Sequence, residues 1–507
     1  MYLIQPQVHS RRAFLRRSAQ LAFTGAALPT AINLAALGEA AAFNAGDDYK
    51  ALVCVFLYGG NDYANTIVPY DSANYAAYQT IRGTTGSEAA NGIALARAAL
   101  TPTLLDATPA SAIGATGLQY AMHPSMTGLR ELFNAGQAAV VLNSGPLIRP
   151  LTKTQYQNKT VPQPPKLFSH NDQQSIWQSS SPEGSTIGWG GNIGDLALSS
   201  NSNSLFTCIS VTGNAVFLAG DQALSYQVGS GGAVKIYSVG NAASPFGFES
   251  VGIAMKNLTT TAGRSHQLEN EYNKVTGRAV GAEEAISAAL SNTNPKSNVY
   301  DAPYSNFAND NPLATQLRMV ARLIAARTSL GNKRQVFMVS LGGFDLHDNL
   351  NSGHEKNMGR VSSAMKTFYD TMKTLGVGDK VTAFTASDFG RTLSSNGDGS
   401  DHGWGSHHLI VGDAVQGKAF YGYAPPVSVA NTTSAQDQWH VGQGRLLPTT
   451  SVDQYAATLA TWFGVDPTEL EGNGSVSNPG ILPNLKNFGV TAGGVVYPKN
   501  MGFMKAI

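Results

Sequence analysis

The stretch ALVCVFLYGGND, residues 51–62, decides the fold of this chain. A continuous apolar run without polar alternation is typical of a strand buried on both faces, as in the parallel sheet of an α/β protein. The run opens into a loop at Gly59 and Gly60, and Asp62 follows. Open α/β sheets bind their ligands at the carboxyl ends of the strands. The stretch therefore predicts a central parallel strand with an acid at the edge where function is expected.

Two later segments repeat this arrangement. The apolar run 335–341 is followed by Gly342-Gly-Phe-Asp-Leu-His347, and the run 380–386 is followed directly by Ser387 and Asp388. The carboxyl ends of parallel strands share one edge of a sheet, so residues that are far apart in sequence are expected to meet there. Asp62, Asp345 with His347, and Asp388 are thus predicted to converge.

The loop behind Asp388 adds imidazoles to these acids. Residues 387–408 read SDFGRTLSSNGDGSDHGWGSHH and place three histidines on a glycine-rich segment. Aspartate oxygen and histidine nitrogen suit zinc, manganese or iron better than calcium. A polar surface loop is the alternative interpretation. The metal hypothesis predicts one or two divalent ions held by Asp62, Asp345, His347, Asp388, His402 and His407.

Composition limits the possible classes of protein. The 507 residues carry a formal net charge of +1, only 13% of them are charged, and 54 are glycine. No basic run appears in the body of the chain, which argues against nucleic acid as the main partner. The apolar content is too high for a disordered chain. These values indicate a loop-rich globular protein.

The N-terminus indicates export. Residues 10–16, SRRAFLR, resemble a twin-arginine signal, and an apolar stretch rich in Ala and Leu follows through Leu37. Ala40-Ala-Ala42 offers a cleavage site, so residues 1–42 are predicted to be a signal peptide that the twin-arginine translocase recognises. The location expected for the mature chain is then periplasmic or extracellular. An amphipathic helix or a retained membrane anchor is the alternative for this segment.

The rest of the chain is interpreted as one large domain, 43–507. Its middle, 200–330, is predicted to be an insertion or cap, because 206–239 is rich in β-branched residues and glycine whereas 257–290 and 313–330 look helical. A C-terminal helix is predicted over 452–463, with Thr450 and Asp453 at capping-box spacing. Cys54 and Cys208 lie in apolar runs, which favours buried free thiols, although an exported protein permits a disulfide.

Several motifs resemble the bacterial domain-of-unknown-function 1501 family, which is typically exported by the twin-arginine route. They span nearly the whole mature chain and are long enough to be specific: Leu57-Tyr-Gly-Gly-Asn-Asp62 with Val68-Pro-Tyr70, Phe168-Ser-His-Asn-Asp-Gln-Gln174, Gly342-Gly-Phe-Asp-Leu-His347, and Ser387-Asp-Phe-Gly-Arg391 with Asp401-His-Gly-Trp-Gly405. That family is grouped with alkaline phosphatases and sulfatases. The resemblance implies an alkaline phosphatase-like α/β/α sandwich with a mostly parallel central sheet and a metal-dependent hydrolase ancestry.

By this resemblance, each strand-end acid corresponds to one acidic group of the superfamily's metal site, and His402 corresponds to its late histidine ligand. One departure is Phe389, which follows Asp388 where superfamily phosphatases usually carry a histidine. This substitution argues against a full second metal site.

The second departure concerns the nucleophile. In the segment Tyr120-Ala-Met-His-Pro-Ser-Met-Thr127, the nucleophile of the sulfatase pattern falls on Met122 and its arginine falls on Met126. Methionine cannot attack an ester, so His123 and Ser125 are the candidate catalytic residues, with helix capping and packing as the alternative roles. A water activated by the metal is the other possible attacking group.

His170, Asp172 and Arg391 are the candidate substrate-binding residues. A guanidinium binds phosphate or sulfate in bidentate fashion, although Arg391 is equally able to pair with a neighbouring acid. The segment that contains His170 and Asp172 also fits a hydrogen-bonded loop and helix cap.

Two functions are carried forward from the sequence. The first is an exported metal-dependent hydrolase of phosphate or sulfate esters, acting on an anionic small molecule or on a sugar, polymer or lipid of the cell envelope. The second is a catalytically degenerate protein that binds a ligand or partner on the same scaffold. The strand-end acids and histidines favour the enzyme, whereas the missing nucleophile favours the binding protein.

Overall fold

The structure is a computed structural model, and it describes residues 43–506 except 45, 47, 84–91, 109–110, 114–115, 238, 240–244, 292–301 and 473–478. The predicted signal peptide and its cleavage site lie outside the described residues. Within the described part of the chain, no helix combines the length and the apolar character that crossing a membrane requires.

The molecule is built on one ten-stranded sheet, as the α/β prediction requires. Its strand order is β11-β4-β10-β9-β1-β8-β5-β6-β7, with β12 paired to β4. The strands of this sheet are β1 (Lys50–Leu57), β4 (Ala138–Gly145), β5 (Cys208–Ser210), β6 (Ser225–Gly229), β7 (Gly232–Ala233), β8 (Arg334–Leu341), β9 (Val381–Ser387), β10 (Ser406–Val411), β11 (Ala419–Tyr421) and β12 (Thr450–Ser451). Two small sheets pair β2 (Ile67–Pro69) with β3 (Tyr120–Met122) and β13 (Val490–Ala492) with β14 (Val495–Tyr497).

The three central strands run parallel and end at the same level. Leu57 at the end of β1 lies opposite Leu341 of β8 and Ser387 of β9. Strand β10 is antiparallel to β9 and β4, so its first residue, Ser406, lies at the edge where the parallel strands finish. The loops after β8 and β9 and the loop before β10 therefore emerge at one edge, and their polar residues are brought together there.

Strand β1 is buried on both faces, as its unbroken apolar sequence predicts. Ala51, Val53 and Val55 contribute to one hydrophobic core, whereas Leu52 and Phe56 contribute to the core on the opposite face. Alternate side chains of a strand point to opposite sides, so a run that is apolar throughout supplies both cores. Helices cover the two faces, and the result is a three-layer α/β/α sandwich with a mostly parallel sheet.

The helices are α1 (Tyr63–Thr66), α2 (Ser72–Arg82), α3 (Arg97–Leu100), α4 (Thr127–Asn134), α5 (Lys153–Asn158), α6 (His170–Ser179), α7 (Trp189–Ala197), α8 (Glu249–Thr260), α9 (Gln267–Ser291), α10 (Pro312–Ala325), α11 (Leu350–Thr374), α12 (Val452–Phe463) and α13 (Pro467–Glu471). Helices α4, α10 and α11 pack on the first core, and α7 and α12 pack on the second. The long helical pattern predicted over 257–290 is divided between α8 and α9.

Helix α12 spans the predicted residues, but its cap differs from the prediction. Ser451 is the N-cap, its hydroxyl accepts a hydrogen bond from a backbone N–H, and the side chain of Gln454 closes the capping box. The pair predicted at Thr450 and Asp453 thus misses the observed capping box of Ser451 and Gln454, and both Thr450 and Ser451 pair with β4. The helix buries Tyr455 and Leu459 in the second core, as its apolar face predicts.

The two cysteines are free and buried, in agreement with the preferred interpretation. Burial raises the pKa of both thiols. In the middle of the chain, the surface around α8 and α9 carries large exposed apolar side chains, among them Tyr237 and Phe246. The interpretation of residues 200–330 as an insertion or cap stays a prediction.

Candidate metal centre

Four polar side chains meet at the carboxyl edge of the sheet. Asp345 and His347 lie in the loop after β8, His402 lies in the loop before β10, and His170 is the first residue of α6. The cluster therefore combines three segments that are distant in sequence. The topology of the sheet brings two of them to the same edge, and the start of α6 supplies the third.

The ligand atoms of this cluster lie close to one another. The Nε2 atoms of His170 and His402 are 3.2 Å apart, and those of His347 and His402 are 3.1 Å apart. The carboxylate of Asp345 lies 3.4 Å from His170 Nε2, 3.3 Å from His402 Nε2 and 3.0 Å from His347 Nε2. His170, Asp345 and His402 each offer one ligand atom, and these three atoms lie within 4.8 Å of one another.

The hydrogen bonds of the two inner imidazoles direct their lone pairs into the cluster. His170 Nδ1 is 2.7 Å from the Asp388 carboxylate, and His402 Nδ1 is 2.9 Å from the carbonyl oxygen of Phe168. Both partners are acceptors, so both Nδ1 atoms carry a proton, and in the neutral rings both Nε2 atoms present a lone pair. Two lone pairs 3.2 Å apart cannot hydrogen-bond to each other, whereas a shared cation satisfies both.

The donor set and its spacing fit a transition-metal ion. Ligand atoms about 2.0 Å from zinc in a tetrahedral site lie about 3.3 Å apart, close to the separations within this cluster. Three imidazoles with one carboxylate suit zinc, manganese or iron better than calcium. Anchoring the far nitrogen of a ligating histidine to a carboxylate or carbonyl is the usual arrangement around such ions. His170, Asp345, His402 and His347 are thus the residues that would hold the ion.

The pKa shifts in the cluster differ from one group to the next. The hydrogen bond from His170 to Asp388 raises the pKa of His170 despite its partial burial. Burial lowers the pKa of His402, because the charged imidazolium is costly away from water. Partial burial would raise the pKa of Asp345, but the hydrogen bond and charge of Arg391 outweigh it and keep this pKa low. At neutral pH Asp345 is therefore an anion beside the neutral ring of His402.

Asp388 supports the cluster from behind. It is fully buried at the end of β9, and its Oδ2 accepts hydrogen bonds from Gly59 N–H, His170 Nδ1–H and the amide of Gln174. The structure thus places Asp388, a predicted metal ligand, behind His170, where it holds the ring and its proton.

Arg391 is occupied by the protein itself. It is fully buried, its Nη1 donates to Asp345 Oδ1 at 2.5 Å and to Gly59 O at 3.2 Å, and its remaining donors bind Ser400. Of the two roles considered for Arg391, the structure displays the pairing with a neighbouring acid. All of its nitrogen atoms have protein partners, so the structure does not present it as a free anion clamp.

Phe389 forms one wall of the cluster. Its ring centroid lies 4.8 Å from that of His170 and 4.8 Å from that of His402. The phenyl ring fills the space beside the two imidazoles. Among the described residues, one group of metal-binding side chains is found.

Two predicted metal ligands are not brought to the cluster. Asp62 is buried, and its Oδ2 lies 2.6 Å from Arg82 Nη2, so its charge is compensated within the core. His407 was predicted on the glycine-rich loop, but β10 already begins at Ser406 and includes it. His407 is buried, its Nδ1 accepts a hydrogen bond from Asn143 N–H, and burial lowers its pKa to about 3.

The candidate catalytic pair also lies in a buried, local arrangement. His123 Nδ1 is 2.8 Å from Ser125 Oγ and accepts a hydrogen bond from Ser125 N–H. Burial, followed by the charge of His354, lowers the pKa of His123 to about 3. These contacts fit the capping and packing alternative, since no contact joins the pair to the four-residue cluster among the described residues.

The candidate substrate contact Asp172 lies in the first turn of α6 and is engaged by neighbouring side chains. Its Oδ2 accepts from Ser169 Oγ at 2.8 Å, and its Oδ1 lies 3.3 Å from Lys166 Nζ. Burial would raise the pKa of Asp172, but the hydrogen bonds from Ser169 and Lys166 outweigh it, so this pKa is lowered.

Sequence reasoning missed the residues that hold the histidines in place. Arg445 donates to the carbonyl oxygen of His402 at 2.7 Å and lies over the ring of Phe168, whose own carbonyl binds His402 Nδ1. Asp401 Oδ1 lies 3.4 Å from His347 Nδ1. The position of Asp401 next to His402 was the signal for its role, whereas nothing in the sequence relates Arg445 to Phe168.

Comparisons with known proteins give one family and several distant likenesses. A family model described as "Protein of unknown function (DUF1501)" matches residues 49–470. No curated protein matches the sequence significantly.

Among solved structures, the lipoteichoic acid synthase LtaP from Listeria monocytogenes has 9% identity and a TM-score of 0.31, with 82% of this chain and 72% of that chain covered. The C-terminal periplasmic domain of EcEptC from Escherichia coli, in complex with Zn, has 8% identity and a TM-score of 0.31, with 91% and 96% covered. The PsFucS1 sulfatase from Pseudoalteromonas sp. has 8% identity and a TM-score of 0.30, with 82% and 68% covered.

Proposed function

The chain belongs to the DUF1501 family, and from the geometry of its sheet-edge cluster we propose that it is an exported, metal-dependent hydrolase of phosphate or sulfate esters. The observation that carries this proposal is the convergence of the His170 and His402 lone pairs on the carboxylate of Asp345. Export by the twin-arginine translocase to the periplasm or exterior is part of the proposal and rests on residues 10–16.

The residues in and around the cluster have different roles in this proposal. An ion bound by His170, Asp345, His402 and His347 would supply Lewis-acid polarisation of a phosphoryl or sulfuryl oxygen. Asp388 keeps the proton of His170 on Nδ1, so that Nε2 stays available. Phe389 excludes water from one side of the two inner imidazoles.

The cluster is more exposed to solvent at His347 and Asp345 than at His170 and His402. The side chains of His347 and Asp345 are 45% and 43% exposed, whereas those of His170 and His402 are 29% and 27% exposed. An anionic ester is therefore expected to approach over His347 and Asp345. This exposure allows the ester group to belong either to a small molecule or to a larger one, such as an envelope polymer.

The attacking group in this proposal is water. Met122 cannot act as a nucleophile, and Ser125 is engaged with the buried His123. Arg391, which would otherwise bind the anion, is saturated by Asp345, Gly59 and Ser400. Substrate charge is thus neutralised at the cluster rather than by a separate arginine.

A ligand-binding protein without turnover is the second candidate. Met122 in place of a nucleophile and Phe389 in place of a second histidine favour it. The two candidates share the scaffold and differ on catalysis, so one set of measurements separates them.

The test uses mature protein folded in metal-replete cells, in wild-type form and as His402→Ala, Asp345→Ala and the control His266→Ala, whose histidine is exposed and distant in sequence from the cluster. Elemental analysis is combined with a screen of phosphomonoesters, phosphodiesters and sulfate esters. We expect stoichiometric divalent metal and ester hydrolysis in wild type and His266→Ala, and loss of both in the two cluster variants. Metal without hydrolysis would select the binding protein, and absence of metal from wild type would overturn the metal-dependent hydrolase.

A further inference from the structure

A cavity of about 600 Å³ lies away from the metal cluster, and none of the cluster's four residues lines it. Its walls come from the start of α5, the β13–β14 hairpin and the segments around Trp439 and Pro448. This volume falls within the range of pockets that bind small ligands, roughly 300–1,000 Å³. No role in ester hydrolysis accounts for it.

One wall of the cavity is aromatic and held in place. The ring of Trp439 stacks on that of Tyr423 with centroids 4.4 Å apart at 31°, and the backbone of Trp439 accepts a hydrogen bond from Leu447 N–H. Tyr497 contributes a second, buried ring. Aromatic rings fixed by such packing provide a flat apolar surface. Because they are already ordered, they lose little conformational entropy when a ligand binds.

The polar groups of the cavity are neutral or positive. Gln155, Gln438, Asn487 and several threonines supply amide and hydroxyl groups, although Gln438 Nε2 and Asn487 Nδ2 already donate to backbone carbonyls. No aspartate or glutamate is among the lining residues. Arg149 is exposed at the cavity, and within the described residues its guanidinium has no hydrogen-bond or ion-pair partner. Lys153, by contrast, is buried and donates to Asp437 O at 2.8 Å. Arg149 is thus the cation that remains available to a ligand.

We propose that this cavity binds a sugar ring that carries an anionic group, as a unit of an acidic polysaccharide. The flat face of a sugar packs against an aromatic ring such as Trp439, because its C–H groups form weak contacts with the π-face. Neutral amides and hydroxyls match sugar hydroxyls in both donor and acceptor roles. Arg149 binds a sulfate, phosphate or carboxylate substituent in bidentate fashion.

The cavity is connected to the metal cluster through two shared segments. Trp404, two residues after His402, donates to Pro146 O at 2.7 Å, and Arg445 binds the carbonyl of His402 just before Leu447 and Pro448 line the cavity. Sugar binding itself requires neither metal nor turnover, so this inference does not depend on the proposed hydrolysis.

Isothermal titration of the mature chain at physiological salt tests the proposal. The probes are a chondroitin sulfate hexasaccharide, the neutral maltohexaose and inorganic sulfate. The variants are Trp439→Ala, Trp439→Phe, Arg149→Ala, the control Arg278→Ala on α9, and His402→Ala. We expect the hexasaccharide to bind wild type, Arg278→Ala and His402→Ala equally, and at least tenfold more weakly to Arg149→Ala and Trp439→Ala. Trp439→Phe is expected to retain most of the affinity.

Absence of hexasaccharide binding, or equal weakening by Arg278→Ala, would overturn the site. If maltohexaose bound as tightly as the hexasaccharide and Arg149→Ala had no effect, the ligand would not need an anionic group. If inorganic sulfate bound with the same affinity as the hexasaccharide, the site would not recognise the sugar ring. Arg149 is exposed, so its substitution tests the site even if Trp439→Ala fails to fold. Binding by His402→Ala distinguishes a failure here from a failure of the hydrolase.

Discussion

At the scale of single residues, Asp388 has the most constrained role. Its Oδ2 accepts three hydrogen bonds, and its Oδ1 is buried without a hydrogen-bond partner. A buried carboxylate oxygen without a donor is costly, so a positive charge nearby is favoured. The ring of His170 lies between Asp388 and the centre of the cluster, so it connects the Asp388 carboxylate to a cation bound there.

Asp388→Asn is predicted to weaken metal binding while the fold is retained. Asparagine is nearly isosteric and its oxygen can still accept from His170 Nδ1–H, but the negative charge that makes Nε2 a better ligand is lost. Substituting such partners of ligating histidines typically costs about 10–100-fold in metal affinity. Competition against a chromophoric zinc chelator measures the change.

Asp370→Asn is the matched control, since Asp370 is an exposed acid paired with Lys366 on α11. It is expected to leave zinc affinity unchanged. An Asp388→Asn protein that binds zinc as tightly as wild type would show that Asp388 does not act through His170.

At the scale of elements, the turn after β1 ties the three strand ends together. Gly59 N–H donates to Asp388, and Gly59 O accepts from Arg391. The residue has φ of +117°, and a Cβ at this position would lie 2.4 Å from the backbone nitrogen of Asp345. Glycine is thus required here both by conformation and by the close approach of the loop after β8.

Gly59→Ala is predicted to destabilise the protein by roughly 2–4 kcal/mol, from the positive φ together with overpacking. It is also expected to lower zinc affinity, because the clash displaces Asp345. Gly136→Ala is the control, since Gly136 has φ of +83° with no atom within 4 Å of the added Cβ, and it should cost only about 1 kcal/mol. Urea denaturation compares the two, and equal losses would refute a steric role for Gly59.

The first turn of α12 contains a carboxyl group whose titration is linked to folding. Burial raises the pKa of Asp453 to about 6, against hydrogen bonds from Asn484 that lower it. The folded state thus holds this proton more tightly than the unfolded chain. The contribution to stability is full below about pH 4 and is lost as pH rises through about 6.

Asp453→Asn is predicted to remove this pH dependence. The unfolding free energy of wild type relative to the variant should fall by about 2 kcal/mol between pH 4 and pH 7, because the other carboxyl groups are common to both proteins and cancel. Urea denaturation at several pH values measures the difference. A difference that is constant across this range would contradict the raised pKa.

At the scale of the whole molecule, the strands of the central sheet were predicted from the sequence more accurately than the contacts between side chains. The runs 51–58, 335–341 and 380–386 appear as β1, β8 and β9 within a residue or two, because an apolar run between turn residues leaves few alternatives. The convergence of Asp345, His347 and His402 followed from the parallel edge. The predicted DUF1501 family was confirmed by the family match over residues 49–470.

The parts that sequence reasoning could not supply depend on contacts between distant segments. The ion pair of Asp62 with Arg82 requires the position of α2, and the burial of His407 requires β10 to begin at Ser406. His170 was predicted to contact substrate, whereas its Nε2 faces the cluster and Asp388 stands behind it. Residue types alone do not distinguish a ligand from the group that orients it, because both are histidine or aspartate.

The number of bound ions is a property of the whole molecule that stability measurements can determine. His170, Asp345 and His402 come together only in the folded chain, so an ion binds the folded state and stabilises it by mass action. For one ion, each tenfold rise in free zinc above the dissociation constant should add about 1.4 kcal/mol to the free energy of unfolding, and two ions would add about twice that. Phe389 beside the imidazoles favours the smaller slope.

Urea denaturation in zinc-buffered solutions measures this slope. His266→Ala is expected to follow wild type, and His402→Ala is expected to show little dependence on zinc. A slope near zero in wild type would refute the metal centre, and a doubled slope would require a second ion that the single cluster of the described residues does not accommodate.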